Sequence, residues 1–166
     1  KADVGVSILN LENGDSLSIN GTKHFPMISV FKFHIALTVL NKVDKGELAL
    51  NQNLFIKTNE LLENTWSPFK KKYPNGDISI SLKEALEWMI TVSDNNICDI
   101  LIRLVGGVEA IDHFINDSNF VIINDEEGIH KNWDAQFLNT TTPNFSNQLL
   151  ESFFEGKQLT GKSTKF

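Results

Sequence analysis

The sequence predicts a mixed α/β (α+β) fold, a helical cluster packed on an antiparallel sheet, and three observations carry that prediction. Val4, Val6 and Ile8 alternate with Gly5, Ser7 and Leu9, Leu17 and Ile19 alternate in return, and Asn13-Gly14 between them is a hairpin turn signal. From Val30 to Leu40 the chain is almost wholly apolar, which on a helix means burial on all sides. Further on, apolar residues recur at helical spacing in several separate stretches.

The elements follow in order. The hairpin runs from Val4 to Ile19, and a loop from Asn20 to Met27 leads into the buried helix. That helix stops near Asp44-Lys45-Gly46, with Gly46 as its left-handed C-terminal residue. Leu48 to Ile56 is mixed and unassigned, and Leu61 to Gly76 reads as loop. Ser81-Leu82-Lys83-Glu84 is a capping box opening a helix whose apolar face is Leu82, Ala85, Leu86, Met89 and Ile90. Ser93-Asp94-Asn95-Asn96 reads as a turn. Ile97, Ile100, Leu101, Leu104 and Val105 then form a helix stopped by Gly106-Gly107, and Val108 to Ile115 is a shorter one. Asp117 to Pro143 is long and aperiodic, yet Ile122, Ile123, Ile129, Trp133 and Phe137 give it the apolar content of a packed Ω-type loop. Phe145 to Phe154 returns to helical spacing.

Length and composition bound the function. The 166 residues make one domain, 1–166, and a net charge of −6 argues against nucleic acid or an anionic membrane as a partner. Lys70-Lys71-Lys72 reads as a solvated loop. The single cysteine, Cys98, rules out an internal disulfide and C-x-x-C metal sites, and its place in a helical pattern predicts a buried, inert thiol. His24, His34, His113 and His130 have no metal-ligand spacing, so no metal site is expected; His34 is expected in or beside the core. No apolar run reaches the roughly 18 residues of a membrane span, and no signal peptide heads the chain, so a secreted protein would be in its mature form.

Two motifs bear on chemistry. Gly156 to Ser163 matches the phosphate-binding P-loop pattern, but a helical pattern precedes it and no helix is expected after it, so the strand and helix that its mechanism needs are missing. Ser29 and Lys32 lie three residues apart at the mouth of the buried helix, so both side chains point one way, with Cβ atoms about 5–6 Å apart. A lysine in an apolar setting loses hydration, which disfavours its charged form, and an amine beside a serine can take the hydroxyl proton. A helix-opening serine followed by a snorkelling lysine fits the same tetrad. Trp66, in its loop, either lines a pocket or caps a core.

Ser29-x-x-Lys32 is followed by Ser93-Asp94-Asn95 and by Glu126 in the long loop. That order resembles the serine penicillin-recognising enzymes, and Glu126 with Thr140-Thr141-Thr142-Pro143 narrows the resemblance to class A serine β-lactamases of an extended-spectrum-like branch. Phe25-Pro26-Met27, Thr65-Trp66-Ser67-Pro68 and Asn95-Asn96 leading into Cys98-Asp99 extend it from about Val4 to Phe154. The resemblance implies that Ser29 attacks the lactam carbonyl, that Lys32 accepts or relays its proton, that Ser93 protonates the departing nitrogen, and that Glu126 activates the hydrolytic water. It puts Asn95, Trp66 and His130 at substrate-binding positions. It implies no cofactor, a small-molecule β-lactam substrate, a role in antibiotic resistance, and a periplasmic or secreted location. Alternatives are a penicillin-binding transpeptidase or carboxypeptidase, a β-lactam-sensing domain, or an inactive fragment.

Three departures qualify the resemblance. His130 stands where the family usually has asparagine. The family's Arg–Asp clasp of the loop falls on Asn124 and Asn139, so the loop is either differently folded inside or looser, with Glu127 as fallback for Glu126. No Lys-Thr-Gly strand occurs, so the domain is expected to be incomplete at its C-terminus, with the missing strands supplied by a complementary segment or partner chain.

Overall fold

A computed structural model describes residues 2–166, with Trp133 described by its backbone alone. Strands β1 (Val6–Leu9) and β2 (Ser16–Ile19) form the expected hairpin, in register from Val6–Ile19 to Leu9–Ser16. Its expected core face is open instead. Val4, Ile8, Leu17 and Ile19 are each more than half exposed. The hairpin pairs with no other strand among the described residues, and its contact with the helices is made beside Ser7, whose Oγ accepts from Asn147 Nδ2 at 2.9 Å.

Helix α1 (Phe31–Asp44) is the expected central element, buried from Phe31 to Leu40 except at Phe33. A 3₁₀ turn, Ile28–Val30, precedes it, so Ser29 stands on that turn rather than in α1 itself. Gly46, at φ +74°, ends α1 as predicted: its N–H bonds to Val43 O and the N–H of Glu47 to Lys42 O, the paired bonds of a Schellman close.

Between α1 and the next long helix the structure holds elements that sequence reading left unassigned or as loop. Strand β4 (Asn53–Ile56) pairs antiparallel with β5 (Ile78–Ser81). Helix α2 (Pro68–Lys72) interrupts the expected Leu61–Gly76 loop: Ser67 caps it by accepting from Lys70 N, and Pro68 sits in its first turn. Helix α3 (Leu82–Thr91) has the predicted cap, Ser81, and buries Leu82, Ala85, Leu86 and Met89, but Ile90 is 49% exposed. Helix α4 (Asn95–Val105) starts earlier than expected, because Asp94 is its N-cap; Asn95 and Asn96 are helical rather than part of the turn. Helix α5 (Val108–Ile115) follows Gly106-Gly107 as predicted.

The long loop is packed, and it carries regular pieces: β6 (Phe120–Val121), α6 (Glu126–Lys131), a 3₁₀ turn from Trp133 to Phe137, and β7 (Thr140–Thr141). Strand β3 (Phe25–Pro26) and β6 flank β7, so the two ends of the loop are stitched together beside the entrance to α1. Helix α7 (Pro143–Phe154), capped by Thr142, matches the last periodic stretch. A one-turn helix, α8 (Gly161–Thr164), does follow the P-loop-like glycines, against expectation, but the element before them is α7, not a strand. Asp44 fills the place of an anion there, accepting from Thr160 N at 2.8 Å and from Ser163 Oγ at 2.6 Å. The core lies where α1 packs on α3, α4 and α5.

Candidate active site

Ser29 is aimed by its neighbours. The β3–β7 pairing and a bond from Met27 N to Asn139 O, 2.9 Å, fix the chain just before it. Ile28 then adopts φ +47°, a left-handed conformation that a β-branched residue rarely takes and that costs about 1–3 kcal/mol. Ser93, across the site, is also left-handed at φ +57°. The two hydroxyls meet: Ser93 Oγ donates to Ser29 Oγ at 3.0 Å.

Lys32 does not snorkel. Its side chain is 3% exposed, and its ammonium sits among oxygens: Ser29 Oγ at 3.4 Å, Ser93 O at 3.0 Å, Ser93 Oγ at 3.1 Å and Asn95 Oδ1 at 2.6 Å. Glu126 Oε1 lies 3.6 Å away as the opposing charge. The setting of its tip is therefore polar, not the apolar one expected from the sequence around it. Asn95 passes the contact on, donating from Nδ2 to Thr65 Oγ1 at 2.9 Å.

Asp94 builds the turn that carries Ser93 and Asn95. Fully buried, it accepts from Ile97 N at 3.0 Å, Phe69 N at 2.7 Å and Ser67 Oγ at 3.0 Å, and so ties the Trp66 loop to the start of α4. Trp66 lines a cleft rather than capping a core. Its Nε1 donates to Val92 O at 2.8 Å, and Lys71 Nζ lies 4.8 Å from its ring centre, so Lys71 is not merely solvated.

That cleft, of about 440 Å³, is bordered by Ser29, Trp66, Asn95, Glu126 and His130 among others. On its other side Ser29 also borders an apolar hollow of about 260 Å³ lined by Val30, Phe33, Ile90 and Leu150.

Glu126 opens α6 and is buried; burial, the largest cause, pushes its carboxyl up from the usual range, and Lys32 partly offsets this. Glu127 points elsewhere, pairing with Lys131 at 2.6 Å. Of the two readings of the amide clasp, the loop is not slack at its neck. Asn139, 1% exposed, accepts from Ile123 N and Asn124 N at 2.8 and 3.0 Å and donates to Asn124 O at 2.7 Å. Asn124 Nδ2 bonds to Ala135 O, so side chain-to-backbone bonds replace a direct clasp. Cys98 is buried as predicted, and burial raises its thiol well above the ordinary value. His34 is buried too, stacked on Phe120 with ring centres 4.4 Å apart.

The model of the β-lactamase enzyme family matches residues 1–166. The chain belongs to that family. Beta-lactamase VEB-1 of Pseudomonas aeruginosa is 41% identical over 98% of this chain and 56% of its own length. Among solved structures, the TLA-1 extended-spectrum β-lactamase superposes with a TM-score of 0.95 at 43% identity, over 99% of this chain and 61% of that one. A β-lactamase from Chitinophaga pinensis DSM 2588 gives 0.94 at 42%, over 97% and 60%. The chain thus spans little more than half the length of the curated relatives it matches.

In this member of the β-lactamase family, Ser29, Lys32, Ser93 and Asn95 converge on one point, with Glu126 beside them and Trp66 and His130 on the cleft wall. Three polar residues that the sequence shows within motifs but to which it assigns no role organise the site: Thr65, Asp94 as a scaffold, and Asp99. Asp99 and Arg103 carried a signal, an acid and a base four residues apart on α4.

Proposed function

We propose that the protein opens the ring of β-lactam antibiotics through an acyl-enzyme on Ser29 and so confers resistance. The observation that carries this reading is the Ser29 hydroxyl, held between the Lys32 amine and the Ser93 hydroxyl at the mouth of a cleft that also holds a buried carboxylate, Glu126. Ser29 Oγ attacks the lactam carbonyl carbon and the C–N bond breaks. Its proton leaves through water to Glu126, or to a Lys32 amine that has first given its own proton to Glu126, the two routes open for the family. Ser93 hands a proton to the departing nitrogen and regains one through Lys32, which leaves Glu126 a carboxylate again. Glu126 then takes a proton from water, whose oxygen attacks the ester, and the proton returns to the departing Ser29 oxygen. The Ser29 N–H is one oxyanion donor; a second comes from a strand outside these residues. Asn95, Trp66 and His130 hold the substrate's acyl side chain.

A C-terminal segment bearing the Lys-Thr-Gly strand completes the domain. The open face of the β1–β2 hairpin and the hollow walled by Val30, Phe33, Ile90 and Leu150 are apolar surfaces of the kind such a segment covers. No described helix is long and apolar enough to cross a membrane. It is the likeness to class A β-lactamases that supports placing the protein in the periplasm or outside the cell. Hydrolysis of a chromogenic cephalosporin by the intact protein tests the activity. Sustained turnover supports it. One stoichiometric burst without turnover gives a sensor or transpeptidase, and neither burst nor turnover removes all of these readings.

A further inference from the structure

Ser93 stands at φ +57°, and φ is the angle at which the planar Val92–Ser93 peptide meets the rest of the residue. Whatever fixes the Val92 carbonyl therefore fixes that angle. The Trp66 indole does so, its Nε1 donating to Val92 O at 2.8 Å. Trp66 also grips the far end of the turn, where its main-chain O accepts from Asn95 N at 3.0 Å. Between these two bonds lies the serine whose O and Oγ both accept from Lys32 Nζ, at 3.0 and 3.1 Å, and whose hydroxyl reaches Ser29 Oγ at 3.0 Å. A left-handed serine persists only where its surroundings over-determine it. The indole is in turn held from outside the cleft. Lys71 Nζ lies over its face, 4.8 Å from the ring centre, and Lys71 is not among the residues that border the cleft.

We propose that Trp66 is a positioning residue for Ser93 as well as a wall of the cleft: its indole N–H holds the Val92–Ser93 peptide in the plane that aims the Ser93 hydroxyl, and Lys71 keeps the indole turned toward that carbonyl. The assignment rests on the reading of Ser29 as nucleophile and Ser93 as proton donor to the departing nitrogen. A phenyl ring supplies a wall but carries no N–H, so wall and clamp are separable. Loss of the wall weakens binding of the substrate's side chain. Loss of the clamp leaves the lactam bound with Ser93 misdirected, and slows the step in which the C–N bond breaks.

Variants of the intact protein separate the two roles. Acylation of Ser29 by a slowly hydrolysed β-lactam, followed by intact mass at a series of concentrations, yields a limiting rate and a half-saturating concentration. Trp66→Phe is expected to lower the limiting rate about three- to tenfold, the scale of one lost hydrogen bond, with the half-saturating concentration within about twofold of wild type. Lys71→Met is expected to lower the same rate about two- to fivefold, Lys71→Arg to restore it, and Lys71→Met to cost nothing further once Trp66→Leu has removed the ring. A Trp66→Phe limiting rate equal to that of wild type, or a change confined to the half-saturating concentration, leaves Trp66 a wall alone and overturns the proposal. A Lys71→Met effect of the same size with and without the ring overturns it too. Wild type that forms no adduct on Ser29 instead overturns the functional reading beneath it.

Discussion

Lys32 Nζ and Glu126 Oε1 face each other at 3.6 Å with both side chains almost wholly buried. Neither charge is there for stability: taking two ions out of water costs several kcal/mol each, and their attraction in a low-dielectric setting only roughly repays it. Breaking such a pair from one side is worse than never having it. Lys32→Ala leaves Glu126 buried without its cation and is expected to destabilise the protein by about 3–5 kcal/mol, while Lys32→Met combined with Glu126→Gln recovers much of that loss. Urea denaturation at pH 7 checks this, and a Lys32→Ala loss below about 1 kcal/mol contradicts a tightly coupled pair.

Glu126 and Glu127 are adjacent yet differently placed, one beside Lys32 and the other on Lys131. Glu126→Gln is therefore expected to acylate normally and then stall, with turnover down by about 10²-fold or more, as for loss of a general base. Glu127→Gln should stay within about threefold of wild type, allowing for a surface ion pair worth at most about 1 kcal/mol. Equal effects of the two substitutions would move the base elsewhere.

His34 is 1% exposed, and neither ring nitrogen has a hydrogen-bond partner among the described residues. Burial lowers its pKa from 6.5 to about 4. The unfolded chain therefore binds a proton that the folded one refuses, so stability falls as pH drops through 6.5 and levels off below about 4. Across that window the loss from this one group is about 3 kcal/mol. In His34→Leu that share of the acid loss should disappear. Paired denaturation curves at pH 7 and pH 4.5 measure it, and an identical pH dependence in wild type and variant contradicts it.

Much of this was legible in the chain. The helices α1, α5 and α7 announce themselves by apolar periodicity and by residues such as Gly46 and Gly106 that stop a helix. Short elements do not: β5 and α2 are too brief for a period to show, though Ser67-Pro68 spelled out a cap and a first-turn proline. Asn95 and Asn96 looked like a turn because polar residues open a helix as readily as they break one; only the Asp94 cap decides, and it was bonded to a segment some 25 residues earlier. Ser29, Lys32, Ser93 and Glu126 stand out by their order, and the structure brings them together. Asp99 shows its i,i+4 partner Arg103 in the sequence, but its bonds to the backbone N–H groups of Glu126 and Glu127 leave no mark there. The hairpin's apolar alternation was read correctly, but alternation says which residues share a face and not whether that face is covered.

That open face leads to the fourth prediction. Val4, Ile8, Leu17 and Ile19 form one side of a two-stranded sheet, and such a ribbon is marginal in water unless something packs on it. Residues 1–166 expressed alone should associate or bind a hydrophobic dye and show no turnover, whereas the same residues with the C-terminal segment should do neither and hydrolyse substrate. A monomer of residues 1–166 that unfolds cooperatively and turns over near the complete protein's rate contradicts it.

The central claim is that Ser29 is the nucleophile. Intact-mass measurement after incubation with a β-lactam, on the intact wild-type protein and on Ser29→Ala, tests it most directly, with Glu126→Gln as the background that preserves the adduct. One covalent adduct of the β-lactam's full mass on the Glu126→Gln protein, absent when Ser29→Ala is added, is the predicted result; no adduct, or an adduct undiminished without the Ser29 hydroxyl, contradicts it.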